Sequence, residues 1–237
     1  MSDPRFDVPL YTVREAARIV DVPTSTLSNW VKGYARRFPD RHEVTGNPVL
    51  TYLSTNTFRG PTIPFIGLAE GLVLAAIRRS GVPMQRVRPA LNELQQQMGI
   101  DHALASQRLY TDGAEILFDY AEQNHGAGLR QQTKDLVVIR NGQRAFSAII
   151  EQYLKLISYG SDGYASLIRV PAYREAEVVA DPGRSFGSPV FERGGARVSD
   201  ILDRFWVGES FDELSEEFGV PSKHIEDVVR VTSRRAA

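Results

Sequence analysis

Twice in this chain a short amphipathic run stops at a Val-Pro pair and a second run restarts directly behind a hydroxyl residue. The first copy is Tyr11–Arg37, YTVREAARIVDVPTSTLSNWVKGYARR, and the second is Phe211–Val229, FDELSEEFGVPSKHIEDVV. In the first, Thr12 is placed to cap a helix. Glu15, three residues on, completes a capping box ahead of Ala16, Ala17, Ile19 and Val20. Proline disfavours helical geometry at the residue before it, so this helix is broken by Asp21–Val22–Pro23. Thr24 or Ser25 then caps a second helix with Leu27, Trp30 and Val31 at i, i+3, i+4 spacing. Two short helices across a three-residue turn form a helix-turn-helix pattern.

Behind this pattern the chain turns basic and β-prone. Two short runs within Arg41–Leu53 flank Thr45–Gly46–Asn47–Pro48, which predicts a hairpin, read here as a wing. Arg59–Pro64 is a turn-rich connector. Phe65–Met98 predicts two more helices. The first carries Leu68, Leu72, Ala75 and Ala76 and stops near Ser80–Gly81. The second opens at Pro83, with Val87, Leu91 and Leu94 on one face. This pair carries Arg78, Arg79, Arg86 and Arg88, with no acidic residue between Gly71 and Asn92, a cluster that suits either contact with flanking phosphates or a solvated face.

Ser106–Val170 reads as mixed. Tyr110–Thr111 and Glu115–Tyr120 are candidate strands around Asp112–Gly113, Gln123–Thr133 a polar loop, and Leu136–Ile139 a buried strand. Phe146, Ile149, Ile150, Tyr153, Leu154 and Ile157 have helical spacing, so Asn141–Gly142 leads into a helix. Ala165–Val170 is a further strand. Pro171–Gly195 holds three prolines and four glycines, the composition of a linker or an irregular packed loop. Val198–Arg235 predicts three helices. Gly208 ends the first, Ser210 and Glu213 form a capping box for the second, Gly219–Val220–Pro221 breaks it, and Ser222 caps the third. The fold class is mainly α with small β elements. Its expected parts are a winged helix-turn-helix domain over residues 1–100, a mixed α/β middle or dimerisation region over 101–180, and a C-terminal three-helix unit over 181–237.

Charge separates the halves that pattern makes alike. Residues 1–110 carry 13 basic and 9 acidic side chains, whereas 111–237 carry 15 and 20. The second helix-turn-helix copies the grammar of the first without its electrostatics: Ala196–Arg230 has nine Asp/Glu against four Lys/Arg, which would repel phosphate. A protein interface, through self-association or by masking a basic surface, suits it better, with Phe205, Trp206 and Phe211 as anchors. A small core under an acidic solubilising surface is the plainer reading.

The absence of cysteine excludes disulfides, thiolate catalysis and cysteine zinc sites. His42, His102, His125 and His224 are scattered without metal-ligand spacing, and no nucleophile elbow, P-loop or dinucleotide fingerprint occurs. No enzyme, cofactor or metal is therefore expected. With no signal-like N-terminus, and with Leu72–Ile77 as the longest strongly apolar stretch, the expectation is a cytoplasmic protein without a membrane partner.

Tyr11–Val31 resembles the helix-turn-helix of the MerR type, and Leu72–Leu91 resembles the second helix pair of that winged fold. Asp181–Val231 resembles the bacterial family called domain of unknown function 433. The matching residues are Asp181–Pro182, Gly187–Ser188–Pro189–Val190–Phe191, Arg197–Val198–Ser199–Asp200–Ile201–Leu202, Gly208–Glu209–Ser210 and Phe218–Gly219–Val220. Gly195–Ala196–Arg197–Val198 is a contracted form of the family's central phrase and lacks its proline. The resemblance implies a VapB-like type II antitoxin, a DNA-binding autorepressor of its own operator, paired with a PIN-like ribonuclease toxin.

In that reading a homodimer places two recognition helices in successive major grooves. Its DNA-binding residues are Thr24, Ser25, Thr26, Ser28, Asn29, Lys32, Arg36, Arg37 and Arg41. Asn can pair with adenine, and Ser, Thr and the basic residues hold phosphates. Two other classes stand beside it. One is a stand-alone MerR-like regulator whose Ser106–Val170 module senses a small ligand through Tyr110, Phe118, Tyr120 and Tyr153. The other is an interaction scaffold that has lost DNA binding.

Overall fold

The computed structural model describes residues 3–38, 41–54, 60–81, 84–109 and 149–236. After a single turn α1 (Pro4–Asp7), helices α2 (Val13–Ile19) and α3 (Thr24–Lys32) form the first helix-turn-helix. The capping box is present: Glu15 donates its N–H to Thr12 Oγ1 at 3.2 Å, and Thr12 donates its own to Glu15 Oε2 at 2.8 Å. The turn places Asp21 at φ 57. α3 corrects the sequence reading, because neither Thr24 nor Ser25 caps it. Pro23 is the N-cap, and its carbonyl accepts from the N–H groups of Thr26 and Leu27 at 2.9 and 3.2 Å. Proline presets its own φ, so the helix restarts one residue early without a side-chain cap.

Gly33, at φ +72, ends α3, and a Cβ there would meet the Gly46 carbonyl at 2.4 Å. The next element is a hairpin that pairs β1 (Tyr34–Phe38) with β2 (Arg41–Gly46), antiparallel. The sequence places its turn at Thr45–Pro48. The structure instead closes β2 at Gly46 and puts Arg36 and Arg37 on β1. Val49 donates to the Trp30 carbonyl at 2.8 Å and returns the chain to α3.

Helix α4 (Phe65–Arg79) is buried from Phe65 to Ile77, on every face. Such a helix needs neighbours on all sides. Close approach is built in at Gly67, where a Cβ would lie 2.4 Å from the Thr51 carbonyl. Its partner α5 (Met84–Met98) buries Val87, Leu91 and Leu94, as their spacing predicts.

The strands β3 (Ile157–Tyr159), β4 (Ala165–Arg169), β5 (Val178–Ala180) and β6 (Val190–Phe191) form an antiparallel sheet in that order. Two expectations change here. Ile157 belongs to a strand rather than to the helix at 149–154, and the segment predicted as linker or loop supplies β5 and β6. Val178, Val179, Ala180, Val190 and Phe191 are all buried, in runs too short to show alternation. Helices α6 (Val198–Trp206), α7 (Phe211–Phe218) and α8 (Ser222–Ala236) complete the chain, with the predicted Ser210/Glu213 capping box on α7. Ser222 is the first helical residue of α8, not its cap: His224 and Ile225 donate to the Pro221 carbonyl at 2.8 and 3.3 Å, repeating the geometry of Pro23.

One buried cluster runs from Tyr11 through α4 and the sheet to α8. Within it the Tyr11 hydroxyl, itself buried, donates to the Gly187 carbonyl at 2.8 Å. The predictions over residues 110–148, and Pro83, lie outside the described residues.

Candidate nucleic-acid interface

The face that α3 turns outward is set by the residues it buries. Leu27, Trp30 and Val31 enter the core, leaving Thr24, Ser25 and Lys32 exposed and Thr26, Ser28 and Asn29 half-buried. The six share one helix and one polar surface, with hydroxyl and amide groups ahead of a cation. Arg36, Arg37 and Arg41 are on the adjoining hairpin strands; their side chains, and that of Arg86, lie outside the described residues.

The arginines of the second helix pair hold α3 in place. Arg78 Nη1 donates to Thr26 Oγ1 at 3.0 Å. Arg79 Nη2 donates to the Asp21 carbonyl at 2.7 Å and to its carboxylate at 2.8 Å, and the guanidinium lies 5.2 Å from the centre of the Tyr153 ring. Arg88 Nη2 donates to the Asn29 carbonyl at 3.3 Å, with its guanidinium 5.2 Å from the Tyr34 ring centre. Its Nε and Nη1 are buried without a hydrogen-bond partner among the described residues, and burial holds the group below the ordinary guanidinium range. Sequence reasoning offered this cluster as phosphate contacts or a solvated face and missed its bracing role. The signal available was the arginine-rich end of α4 without neighbouring carboxylates. Tyr153, proposed from sequence as part of a ligand pocket, is half-buried beneath Arg79; Tyr110, Phe118 and Tyr120 lie outside the described residues.

A buried polar knot fixes the segment between hairpin and α4. Glu70, in the middle of α4 and 5% exposed, accepts from Thr51 N–H at 2.7 Å and Thr51 Oγ1 at 3.0 Å. His102 Nδ1 lies 3.1 Å from Glu70 Oε1 and 3.0 Å from Thr51 Oγ1. The bond to Glu70 raises the imidazole pKa, burial opposes it, and the charges of Glu70 and Asp101 reinforce the rise. A raised folded-state value stabilises the fold fully below the unfolded histidine value of about 6.5, and that contribution fades as pH climbs through the folded value. Urea denaturation between pH 6 and 9 should therefore show wild-type stability falling more than that of His102→Asn, which tolerates the left-handed backbone at φ 53. Parallel profiles would mean the ring does not titrate against Glu70.

Among the described residues no group of His, Asp and Glu could hold a metal ion, and no helix is long and apolar enough to cross a membrane.

Residues 9–91 match a family described as "Putative DNA-binding HTH domain", and residues 178–230 match "Protein of unknown function (DUF433)". The chain is 45% identical over 226 residues to a Mycobacterium tuberculosis protein named "Putative antitoxin VapB45", covering 95% of this chain and 94% of that one. A second relative from that organism, "Uncharacterized protein Rv2308", is 27% identical over 235 residues, covering 97% and 92%. The crystal structure of Rv2018 from Mycobacterium tuberculosis superposes with a TM-score of 0.76 at 40% identity, covering 95% of this chain and 99% of that one.

Proposed function

We propose, from the premise that this chain belongs to the VapB-like antitoxin family with an N-terminal helix-turn-helix and a C-terminal DUF433 unit, that it silences a cognate ribonuclease toxin and represses its own operator. The observation that carries the DNA-binding half is the polar outward face of α3, braced by Arg78 at the Thr26 hydroxyl and by Arg88 at the Asn29 carbonyl. In this reading residues 1–100 are a winged DNA-binding domain, 101–180 provide dimerisation, and 181–237 form the antitoxin-family domain. Ser25, Thr26, Ser28 and Asn29 meet base edges and phosphates; Thr24 and Lys32 flank them on α3. Arg36, Arg37 and Arg41 hold the backbone from the hairpin. A homodimer sets two such helices about 34–36 Å apart, which asks for a palindromic operator. A toxin that prefers the DNA-competent dimer would then tighten repression by linkage.

The test is an operator-binding titration at several salt concentrations. Arg36→Ala/Arg37→Ala should weaken operator binding and reduce the slope of log K against log salt by up to about 2, one unit per lost phosphate contact. An unchanged affinity and slope would remove Arg36 and Arg37 from the interface. Co-purification with the product of the neighbouring gene tests the toxin half separately.

A further inference from the structure

α6 ends in a row of aromatic rings that terminates in solvent. Phe211, at the start of α7, stacks on Phe205 at 4.9 Å and 12°, and Trp206 meets Phe205 edge-on at 5.1 Å. Leu214 anchors α7 in the core beneath, so the row is seated on fixed helices. Yet Trp206 remains 57% exposed and the next residue, Val207, 81% exposed. An indole braced on one side by its edge-on contact with Phe205 has already lost part of its freedom, which lowers the entropy cost of burying it against a partner.

The surroundings state the sign of that partner. Residues 198–218 contain seven carboxylates and a single cation, Arg204. Arg204 is spent internally: it bonds Glu209 at 2.6 Å, pairs with Glu217, and lies over the Phe218 ring. Asp203 is exposed one helical turn before Trp206 and Val207, on their side of α6, and Asp212 is exposed directly after Phe211. Asp200 pairs with Arg197, and Glu209 and Glu217 with Arg204, which leaves the exposed Asp203 and Asp212 to charge the surface around this apolar anchor, so it repels nucleic acid and a second copy of itself. It complements a basic protein surface that offers an apolar pocket between cations. A ribonuclease must carry cations on its substrate face, because its substrate is a polyanion.

We infer that the Trp206–Val207 face of α6, with its rim of Asp203 and Asp212, docks on the RNA-binding surface of the ribonuclease and inhibits it by covering the cleft. This rests on the toxin pairing proposed above. Trp206 fills the pocket, and the carboxylates occupy positions that RNA phosphates would take.

The experiment uses the full-length protein and the ribonuclease from the neighbouring gene, with binding, RNA cleavage and operator affinity read in parallel. Trp206→Ser removes an exposed side chain, so folding and operator affinity should be unchanged. Ribonuclease affinity should drop at least about 30-fold, and RNA cleavage should return at antitoxin concentrations where the wild type abolishes it. Asp203→Lys/Asp212→Lys should slow association and flatten its salt dependence. If Trp206→Ser binds and inhibits like the wild type, or if the wild-type complex still cleaves RNA, the docking surface is wrong and the pairing stands. If the wild-type chain and the neighbour form no complex, the pairing itself fails, and this inference with it.

Discussion

Gly187→Ala should cost at least about 3 kcal/mol and loosen the joint between the helix-turn-helix and the DUF433 unit. Gly187 sits at φ +77, where an L side chain is disfavoured by about 1–2 kcal/mol. A Cβ there would fall 2.3 Å from Tyr11 Oη and 3.0 Å from Cζ. The ring cannot swing aside: Tyr11 is 3% exposed, and its backbone is bridged to Ile63. The methyl group must therefore push the turn off the ring and break the Tyr11–Gly187 hydrogen bond. Tyr11→Phe should cost about 1–3 kcal/mol, the usual penalty for a buried carbonyl left without its donor. Because Tyr11→Phe also removes the clashing oxygen, the double variant should be more stable than the two losses added together. Urea denaturation of the four proteins decides it. A Gly187→Ala loss below about 1 kcal/mol, against the expected range for a closed contact, would mean that the two units are not fastened here.

That joint marks where sequence reasoning stops. The capping boxes at Thr12/Glu15 and Ser210/Glu213 were legible because each closes within one helical turn. The buried faces of α3 and α5 followed from the spacing of Leu27, Trp30 and Val31, and of Val87, Leu91 and Leu94. β1 was not legible, because Tyr34–Phe38 carries two adjacent arginines and becomes a strand through pairing with β2. β5 and β6, three and two residues long, are too brief to carry a period. The hydroxyl residues after Pro23 and Pro221 are the usual capping type, yet in both places the proline takes the cap position. Contacts such as Tyr11–Gly187, 176 residues apart, leave no local trace at all.

The site obeys the same division. The polar row on α3 could be read from the residues left over once the core positions were assigned. The bracing of that row could not, because Arg78 meets Thr26 and Arg88 meets Asn29 only after α4 and α5 have folded back. Composition suggested arginines reaching for phosphate. The geometry gives Arg79 to Asp21 and Arg88 to Tyr34 and Asn29, so these two fix the angle at which α3 is presented.

Asp227 shows how far composition can mislead, and it carries the second large effect expected. Counted from sequence among the charges of an acidic solvent face, it is 3% exposed. Its Oδ2 accepts three consecutive backbone N–H groups, from Arg174, Glu175 and Ala176, at 2.8, 2.9 and 3.1 Å. One side chain on α8 thus satisfies three consecutive N–H groups of the turn between β4 and β5. Asp227→Ala would leave one buried and two part-buried N–H donors without their acceptor, for an expected loss of about 3 kcal/mol. Asp227→Asn, which keeps one acceptor oxygen but no charge, should fall between the two. Burial pushes the carboxyl pKa up; the three N–H bonds and Arg230 outweigh it and leave the group below its ordinary value. A lowered folded-state value stabilises above the unfolded value of about 3.9, and the contribution is lost as pH falls through the folded value. Wild type should therefore lose more stability than Asp227→Asn between pH 5 and the acid limit, the opposite flank from His102. Equal acid sensitivity, or an Asp227→Ala loss under about 1 kcal/mol, is incompatible with a carboxylate closed on three donors.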